Sequence, residues 1–588
     1  MLILGFNAYH GDVAAALLRD GELVAALEEE RFQRMKHVAG FPALAMRKCL
    51  EIGGVKAQDV DIFAVARGRR AHFWRRAAFA IRHRPGAALW RQYRSSGGRQ
   101  HSLPRTIAEA LGLEESHVTR RLRHIEHHPT HLASAFFASG FDEAACCAID
   151  GFGDFVSVSA ARGRGSALDV VHRTFFPHSL GLLYLAVTQF LGFDNWGDEY
   201  KVMGLAPYGQ PNDVDAVRRL LRLERHGHFT LDLRYFRHWT GEVPMEWSEG
   251  VPRVAATYSS EMEGLLGPPR ASADPVEQRH MDLAASLQVV FEEGVFHVLR
   301  GVHSRIGGSR LALAGGCAMN SVANGKIRAN TPFRDLYVQP AAGDNGTALG
   351  AALYAWYAQE GGARGWRMEH AYWGTSFSDD QVAEAMVAAD SAVRDRCRVS
   401  RPASEALSGI VSAHLADGLI VGWFQGRMEW GARALGNRSI LADPRRVDMR
   451  DIINAKIKFR ERFRPFAPAV LEEEIDNYFV GAVADPFMLQ VYPVRPDKRA
   501  LLPAVTHVDG SGRLQSVNRT ANPAFWTLIR AFGDRTGVPV LLNTSFNENE
   551  PIVEQPSQAL DCFLRTDMDV LVMGSHLLVK NSVRTCHA

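Results

Sequence analysis

The sequence predicts an α/β protein whose first domain contains a duplicated unit and is followed by a second α/β domain. A strand–turn–strand rhythm opens the chain, and a similar passage begins at Ala144. Two such beginnings in one half of the chain indicate a duplication. A further α/β pattern starts at Pro402, after a glycine-rich break at 361–365.

Short apolar runs separated by turn residues predict the first strands. Leu2–Phe6 and Val13–Leu18 are such runs, and Glu22–Glu28 follows the turn at Gly21. The second passage has the same form, with runs over Ala144–Asp150 and Phe155–Ala160. Both passages are therefore predicted to be meanders that begin a sheet.

Later elements follow from periodicity and composition. Met281–Val302 places its large apolar residues on one face, which predicts a helix. Arg310–Gly316 is predicted to be a buried strand running into a glycine turn, and Gly350–Gln359 a helix of small residues. Met568–Met573 is predicted to be the last strand.

Length and composition limit the class of protein. A chain of 588 residues is too long for one hydrophobic core, so we expect a first domain over 1–360, a linker region over 361–399 and a second domain over 400–588. Hydrophobic residues make up 46% and charged residues 22%, as in globular proteins. The net charge of +2 provides no overall attraction to nucleic acid or membranes.

The cysteines and the N-terminus predict a cytoplasmic protein. Seven scattered cysteines without a CxxC spacing favour reduced thiols. The first residues lack the basic region and cleavage site of a secretory signal. No apolar run reaches the roughly eighteen residues that a membrane span requires.

One basic segment departs from the neutral background. Arg67–Arg99 contains ten arginines and no acidic residue, with aromatic residues interleaved. These aromatics are Phe73, Trp74, Phe79, Trp90 and Tyr93. The segment is either a surface for phosphate-bearing or lipid-like partners, or a helical hairpin whose arginine stems cover apolar surface. We favour the hairpin.

A histidine pair and two distant aspartates predict a metal site. His127 and His131 are four residues apart, which places both imidazoles on one helix face if the helix begins near Pro129. His124 and His128 point off that face. Asp150 and Asp344 each end a strand before glycine and complete a mixed nitrogen and oxygen set. Such a set suits divalent iron, manganese or zinc, and the sequence does not choose among them.

A glycine turn predicts a nucleotide site. Gly315 and Gly316 follow a strand and precede a helical run that contains Asn320. Small residues let a ligand approach the backbone, and a helix N-terminus favours a phosphate. The glycine-rich stretch at 343–348 lies close behind in sequence and strengthens the prediction.

Collinear motifs across nearly the whole chain resemble the O-carbamoyltransferase family of nodulation-factor and antibiotic biosynthesis. The motifs of the first half are GFNAYHGD at 5–12, HHPTH at 127–131, KVMGLAPYG at 201–209, GGCAMNS at 315–321 and GDNGTALG at 343–350. The motifs of the second half are EWGARALGNRS at 429–439, FRPFAP at 463–468 and NTSFN at 543–547. Ala432 stands where the family usually has proline.

The resemblance implies a first domain of the actin and sugar-kinase (ribonuclease H-like) type and a YrdC-like second domain. It implies that the second domain makes carbamoyl adenylate from carbamoyl phosphate and ATP, with Mg²⁺ accompanying ATP. The first domain would then pass the carbamoyl group to a hydroxyl of a natural product or glycolipid-like molecule. Iron is the metal that the family implies first.

Residue chemistry fits this division of labour. Cationic side chains suited to phosphate and carbamate are Arg433, Lys458, Arg464 and Arg513. Asn543 and Ser545 suit the polar carbamoyl end, and His10 could act as general base on the acceptor hydroxyl. Further predicted nucleotide contacts are Asp12, Lys201 and Gly204, of which Lys201 is less secure because Asp198-Glu199-Tyr200 precedes it in an uncommon form.

Two other functions compete with this one. A threonylcarbamoyl-type tRNA-modifying enzyme would use the basic segment, although the near-neutral charge and fused second domain argue against stable nucleic-acid binding. A nucleotide-dependent binding or regulatory ATPase leaves the second-half motifs unexplained. A non-haem iron oxygenase would be a β-barrel, unlike this chain. The identity of the acceptor and the choice between monomer and homodimer stay open.

Overall fold

The computed structural model describes residues 1–68, 70–83, 102–240, 243, 245–246 and 250–583. They form two compact units, Met1–Met368 and Glu369–Ala588. The boundary lies within the 361–399 range that we assigned to a linker. Much of that range folds with the second unit, because two helices and a strand occupy residues 379–400.

The described residues of the first unit form fourteen strands. They are β1 (Leu2–Phe6), β2 (Ala14–Arg19), β3 (Glu22–Glu28), β4 (Ile62–Val65), β5 (Leu122–His124), β6 (Glu143–Gly153), β7 (Val156–Arg164), β8 (Ala167–Phe175), β9 (Leu221–Leu223), β10 (Phe229–Leu231), β11 (Met245–Glu246), β12 (Arg253–Val254), β13 (Arg310–Ala314) and β14 (Asp335–Val338).

Two five-stranded sheets share one topology, which confirms the predicted duplication. The first has the order β3-β2-β1-β4-β5 and the second, from the matching end, β8-β7-β6-β13-β14. In each sheet the first three strands form an antiparallel meander and the last two run parallel to its first strand. The registers pair Gly5 with Ala16 and Ala64 in one sheet, and Cys147 with Ala160 and Leu313 in the other.

Helices cover these sheets. They are α1 (Glu30–Gln33), α2 (Ala43–Gly53), α3 (Phe73–His83), α4 (102–111), α5 (Glu115–Arg121), α6 (His127–Phe136), α7 (Leu180–Phe190), α8 (Glu199–Leu205), α9 (Val214–Arg218), α10 (Ser260–Leu266), α11 (Gln278–Ile306), α12 (Ser321–Asn330) and α13 (Gly346–Tyr354). The helix predicted over Gly350–Gln359 begins four residues earlier, and its last turn, Ala355–Gln359, is a π-helix.

Helix α13 packs unusually close to its neighbours because two glycines lie at the contacts. A Cβ atom on Gly350 would overlap the carbonyl oxygen of Thr130 in α6. A Cβ atom on Gly5 in β1 would overlap the carbonyl oxygen of Ala348. Helix α13 therefore touches both a strand of the first sheet and the helix that carries the histidine pair.

Within residues 369–583, the second unit is built on one nine-stranded mixed sheet. Its strands are β15 (Cys397–Ser400), β16 (Val421–Phe424), β17 (Arg438–Ala442), β18 (Ala467–Leu471), β19 (Gln490–Pro493), β20 (Ser511–Val517), β21 (Val540–Ser545), β22 (Val570–Met573) and β23 (His576–Lys580). Their order is β15-β23-β22-β16-β17-β21-β18-β20-β19.

Helices flank this sheet and complete two hydrophobic clusters, one of which packs around Phe466 and Phe563 and the other around Trp423 and Phe525. The helices are α14 (Asp379–Ala388), α15 (Asp390–Arg396), α16 (Ser404–Ala416), α17 (Met449–Ile453), α18 (Ile475–Tyr478), α19 (Pro523–Thr536) and α20 (Pro556–Arg565). The buried strands support the mixed α/β class predicted for this domain.

The basic segment Arg67–Arg99 is only partly described. Residues 69 and 84–99 lie outside the described residues, so the predicted hairpin stays a prediction. The described portion contains α3. Among the described helices, none combines the length and apolarity needed to cross a membrane.

Candidate active sites in the two units

The four predicted metal ligands converge in the first unit, and we call them the His–Asp cluster. Helix α6 begins at His127, with Pro129 in its first turn, so His127 and His131 present their Nε2 atoms 3.1 Å apart. Asp344 Oδ1 lies 3.4 Å from each Nε2 atom. Asp150 Oδ2 lies 3.7 and 3.9 Å from them. One ligand atom from each residue lies within 4.8 Å of the others.

Burial and charge make the His–Asp cluster fit a cation. Both imidazoles are fully buried, and Asp344 keeps 22% of its side chain exposed. Burial alone would lower the pKa of His127, but the carboxylates of Asp344 and Asp150 raise it to about 10. The pKa of Asp344 is held well below its usual value by His127 and His10 despite burial. The two carboxylates lie close together and repel each other, so positive charge beside them is favourable. A divalent cation would supply it.

Backbone amides hold the side chains of the His–Asp cluster in place. Asp150 Oδ1 accepts a hydrogen bond from the Gly316 amide at 2.8 Å, which links the cluster to the glycine turn. Asp154 Oδ2 accepts from the His127 amide at 3.0 Å and from the Gly68 amide at 2.7 Å. Asp154 thus satisfies an unpaired N–H at the start of α6. This role of Asp154 was not predicted, although the residue lies in the DGFGD stretch at 150–154.

His10 lies beside the cluster in an arrangement suited to a base. Its Nδ1 atom is 3.2 Å from Asp344 Oδ2, and its ring stacks on that of His127 with centroids 5.1 Å apart. Burial lowers the pKa of His10, with Asp344 opposing this effect. If Nδ1–H donates to Asp344, the buried Nε2 atom is left as an acceptor, and it has no hydrogen-bond partner among the described residues.

His128 faces away from the cluster. Its Nε2 atom lies 2.8 Å from the carbonyl oxygen of Val156, so this buried ring is bound to the neighbouring strand. The prediction that it points off the shared face agrees with this geometry. It therefore provides a control position one residue from a proposed ligand.

The glycine turn has the geometry required for close approach to its backbone. Gly315 has φ +89°, and a Cβ atom there would overlap the backbone of Ile149. Asn320 caps α12 by accepting from the Ala323 amide at 2.9 Å and also bonds Gln288, so its amide is part of the framework. A direct nucleotide contact of Asn320 stays a prediction.

The other predicted nucleotide contacts in this region lie on α8. Lys201 pairs with Asp198 at 3.0 Å, and Gly204 lies one turn farther along the helix. Met203 Sδ lies 3.9 Å from Ser321 Oγ at the start of α12. The structure therefore brings α8 and the glycine turn together, as one nucleotide site would require, and the individual contacts stay predictions.

Asp12 is engaged in an ion pair. Its Oδ1 atom lies 2.8 Å from His37 Nδ1, and Glu30 completes a second group of potential ligands within 4.8 Å. Burial would lower the pKa of His37, but Asp12 and Glu30 raise it to about 9. His37 is therefore protonated at neutral pH and forms an ion pair with Asp12. Nucleotide binding by Asp12 stays a prediction.

The His37 ion pair predicts a pH-dependent contribution to stability. Because the pKa of His37 is raised from 6.5 to about 9, its stabilisation is complete below pH 6.5 and is lost as the pH rises through about 9. We expect about 1 kcal/mol, since both side chains are about a third exposed. Urea unfolding of the wild type and of His37→Gln at pH 6.5 and 9.5 measures it. If the free energies of unfolding of the two proteins differ by the same amount at both pH values, the prediction is wrong.

In the second unit three other arginines act electrostatically on Arg513 of β20, and we call the four residues the arginine cluster. Its other members are Arg433, Arg460 and Arg464. Burial and then these three guanidinium groups lower the pKa of Arg513 well below its usual value. Bringing like charges together is electrostatically unfavourable, and a bound polyanionic ligand would offset that repulsion. Arg460 was not predicted, although it precedes the FRPFAP motif in an arginine-rich run.

Lys458 is bound to the NTSFN loop. Its Nζ atom donates to the Ser545 and Asn547 carbonyl oxygens at 2.5 and 2.7 Å and to Asn547 Oδ1 at 2.6 Å. Ser545 Oγ in turn donates to Asn547 Oδ1 at 2.8 Å. Lys458 thereby supports the loop that presents Ser545, and a direct phosphate contact of either residue stays a prediction.

Asn543 joins two strands to the loop that carries Arg433. Its Nδ2 atom donates to Gln515 Oε1 at 2.6 Å and to the Ala434 carbonyl at 3.2 Å. Gln515 Nε2 donates to the Leu435 carbonyl at 2.8 Å. Gln515 has no distinctive sequence signal, because only the place of β20 in the sheet brings this residue to the loop.

Glu429 shapes the same loop from within. This buried residue accepts hydrogen bonds through Oε1 from the amides of Leu435, Asn437 and Arg438 at 2.7, 2.8 and 3.1 Å. The loop that presents Arg433 is therefore folded around one carboxylate oxygen.

Replacing Glu429 with alanine should loosen this loop. Three buried donors would lose their acceptor, and at about 1 kcal/mol or more each their local opening should become on the order of a hundredfold more frequent. Hydrogen exchange of the amides at 435–438 measures the effect. Glu473→Ala, which removes an exposed carboxylate in the same unit, is the control. Equal exchange in both variants would show that Glu429 does not hold the loop.

Family models match both units. The carbamoyltransferase N-terminus model matches residues 2–353, and the carbamoyltransferase C-terminus model matches residues 412–580. The chain therefore belongs to the carbamoyltransferase family, and it is an enzyme of that class. This confirms the resemblance drawn from the motifs.

Relatives cover the chain almost completely. An uncharacterised protein of Synechocystis is 41% identical over 99% of this chain and 97% of its own length. Nodulation protein NolNO of Sinorhizobium fredii is 42% identical over 98% of this chain and 80% of its own length. Among solved structures, component A of the Acidaminococcus fermentans (R)-2-hydroxyglutaryl-CoA dehydratase matches 61% of this chain and 98% of its own at 15% identity. Its TM-score of 0.34 is too low for a comparison of sites.

Proposed function

We propose that this carbamoyltransferase is ATP-dependent and transfers the carbamoyl group to a hydroxyl oxygen of a natural product or glycolipid-like small molecule. The arginine cluster is the observation that carries the proposal. Three guanidinium groups that act electrostatically on a fourth suit ligands with several negative charges, and both carbamoyl phosphate and ATP are such ligands.

The second unit would make carbamoyl adenylate. Water cleaves carbamoyl phosphate to carbamate and phosphate, and a carbamate oxygen then attacks the α-phosphorus of ATP, with pyrophosphate leaving. Arg433, Arg464 and Arg513 would bind the phosphates, with Mg²⁺ accompanying ATP. Asn543 and Ser545 would hydrogen-bond the carbamoyl end.

The first unit would transfer the group. The acceptor hydroxyl loses its proton to His10 Nε2 while its oxygen bonds to the carbamoyl carbon, and the bond from that carbon to the AMP oxygen breaks. Asp344 fixes the orientation of His10 through Nδ1. The glycine turn at Gly315 and Gly316 would bind the phosphate of the adenylate.

The His–Asp cluster would hold a divalent cation, which supplies positive charge next to the adenylate phosphate when bound. Iron is the first candidate, with manganese and zinc as alternatives, because two imidazoles and two carboxylates suit all three. Metal analysis of the purified protein and activity after chelation and reloading distinguish them.

Pyrophosphate release tests the proposal. Purified protein with carbamoyl phosphate, ATP, Mg²⁺ and a divalent transition metal should release pyrophosphate, and a suitable acceptor should gain one carbamoyl group in mass spectra. Omission of carbamoyl phosphate is the control. Absence of pyrophosphate with and without acceptors would refute adenylate formation. Screening hydroxyl-bearing acceptors by mass shift would then identify the substrate.

A further inference from the structure

Helix α3 exposes large apolar side chains to solvent. Trp74 is 81% exposed, Ile81 77% and Phe73 58%. Trp74 and Ile81 are seven residues apart, which places them on one helix face two turns apart. Exposure of such large side chains next to one another is unfavourable in water, so this face fits a partner that covers it.

The same helix is firmly anchored on its opposite face. Phe79 is buried, and its ring contacts those of Phe155 and Phe176 with centroids 5.6 and 5.3 Å apart. At the start of the helix, His72 Nε2 pairs with Glu126 at 2.9 Å. The exposed apolar face is therefore presented by a helix fixed to the protein.

Charge on the exposed face indicates what the partner is. Arg82 is exposed on one flank of the Trp74–Ile81 line, and Arg70 is exposed just before the helix. Arg75 is on the same flank, but its guanidinium lies over the Phe175 ring, 4.1 Å from the ring centre. The sequence from 67 to 99 contains no acidic residue. Central tryptophan and isoleucine flanked by arginine match an interfacial helix that lies in the plane of an anionic bilayer.

We propose that α3 docks this carbamoyltransferase on an anionic membrane surface. Trp74 and Ile81 enter the boundary between headgroups and acyl chains, while Arg70 and Arg82 contact lipid phosphates. At about 16 Å, an eleven-residue helix is too short to span a bilayer but long enough to lie on it. This inference is independent of the proposed acceptor and mechanism.

Vesicle co-sedimentation of the full chain tests the docking. The wild type should sediment with vesicles containing phosphatidylglycerol, less with pure phosphatidylcholine, and less at high salt. Trp74→Ser combined with Ile81→Ser should lower binding at least about tenfold, because two large apolar side chains are lost. Val387→Ser combined with Val447→Ser is the matched control, since these residues are 73% and 79% exposed in the second unit. Arg70→Gln combined with Arg82→Gln should reduce binding to anionic vesicles alone.

Several results would overturn the proposal. These are no binding of the wild type to phosphatidylglycerol vesicles, or equal binding by the wild type and both α3 variants. A third is a homodimer, detected by light scattering, that the Trp74 and Ile81 substitutions dissociate, because a second copy would then cover this face. Circular dichroism and thermal unfolding show whether each variant is folded, and the arginine variant provides the test if the apolar one is not.

Discussion

Replacing His131 with alanine is expected to abolish carbamoylated product while pyrophosphate release continues. His131 Nε2 lies within the His–Asp cluster, 3.4 Å from Asp344 Oδ1, and the second unit contains none of the cluster's residues. Loss of one ligand of four should reduce metal content and lower product formation on the order of a hundredfold. Metal analysis, pyrophosphate release and product mass spectrometry on one protein sample measure the three quantities.

His128→Gln is the matched control for this experiment. It alters an equally buried imidazole on the same helix, and its amide can still reach the Val156 carbonyl. It should retain both metal and product. If pyrophosphate release and product vanish together in His131→Ala, the division of labour between the units is wrong.

Replacing Arg513 with glutamine should abolish pyrophosphate release and, with it, the product. The guanidinium groups of Arg433, Arg460 and Arg464 act electrostatically on Arg513, so the substitution removes the cation that all three affect. Loss of one such phosphate contact typically lowers the rate on the order of a hundredfold to a thousandfold. Metal content should stay unchanged, because the His–Asp cluster lies in the first unit.

Arg530→Gln serves as the control for Arg513→Gln. Arg530 is half exposed and pairs with Asp534 on the surface of α19, so its loss should leave the reaction intact. Normal pyrophosphate release by Arg513→Gln would place adenylate formation elsewhere. Restored product when chemically prepared carbamoyl adenylate is supplied to Arg513→Gln would confirm that its first unit is functional.

Helical spacing and apolar runs in the sequence predicted the site residues whose positions depend on secondary structure alone. The spacing of His127 and His131 follows from the helical repeat, and Asp150 belongs to a strand that its apolar run identifies. The prediction that Asp344 ends a strand is wrong, because β14 ends at Val338 and Asp344 lies in the turn before α13. The meander strands were also found where their runs predict them.

Features that depend on tertiary packing could not be predicted. Asp154 reaches the start of α6 only because β6 and β7 turn there, and Gln515 contacts the Glu429 loop only through the order of strands in the sheet. Lys458 was predicted as a phosphate ligand from its charge, but its distances to acceptors on Ser545 and Asn547 required the folded chain. Charge and spacing identify candidates, and packing decides which groups they contact.

The close approach of α13 to its neighbours has a consequence for how the metal site can vary. Gly5 and Gly350 are places where backbone rests directly on backbone, so the separation between α13 and α6 is set by the absence of side chains. Asp344 precedes α13, whereas His127 and His131 lie on α6. A single added methyl group at Gly350 would act as a wedge that shifts the aspartate from the histidines while leaving every ligand unaltered. The distances between Asp344 and the two histidines thus depend on a backbone contact at Thr130, the residue before His131, and not only on the side chains of the cluster.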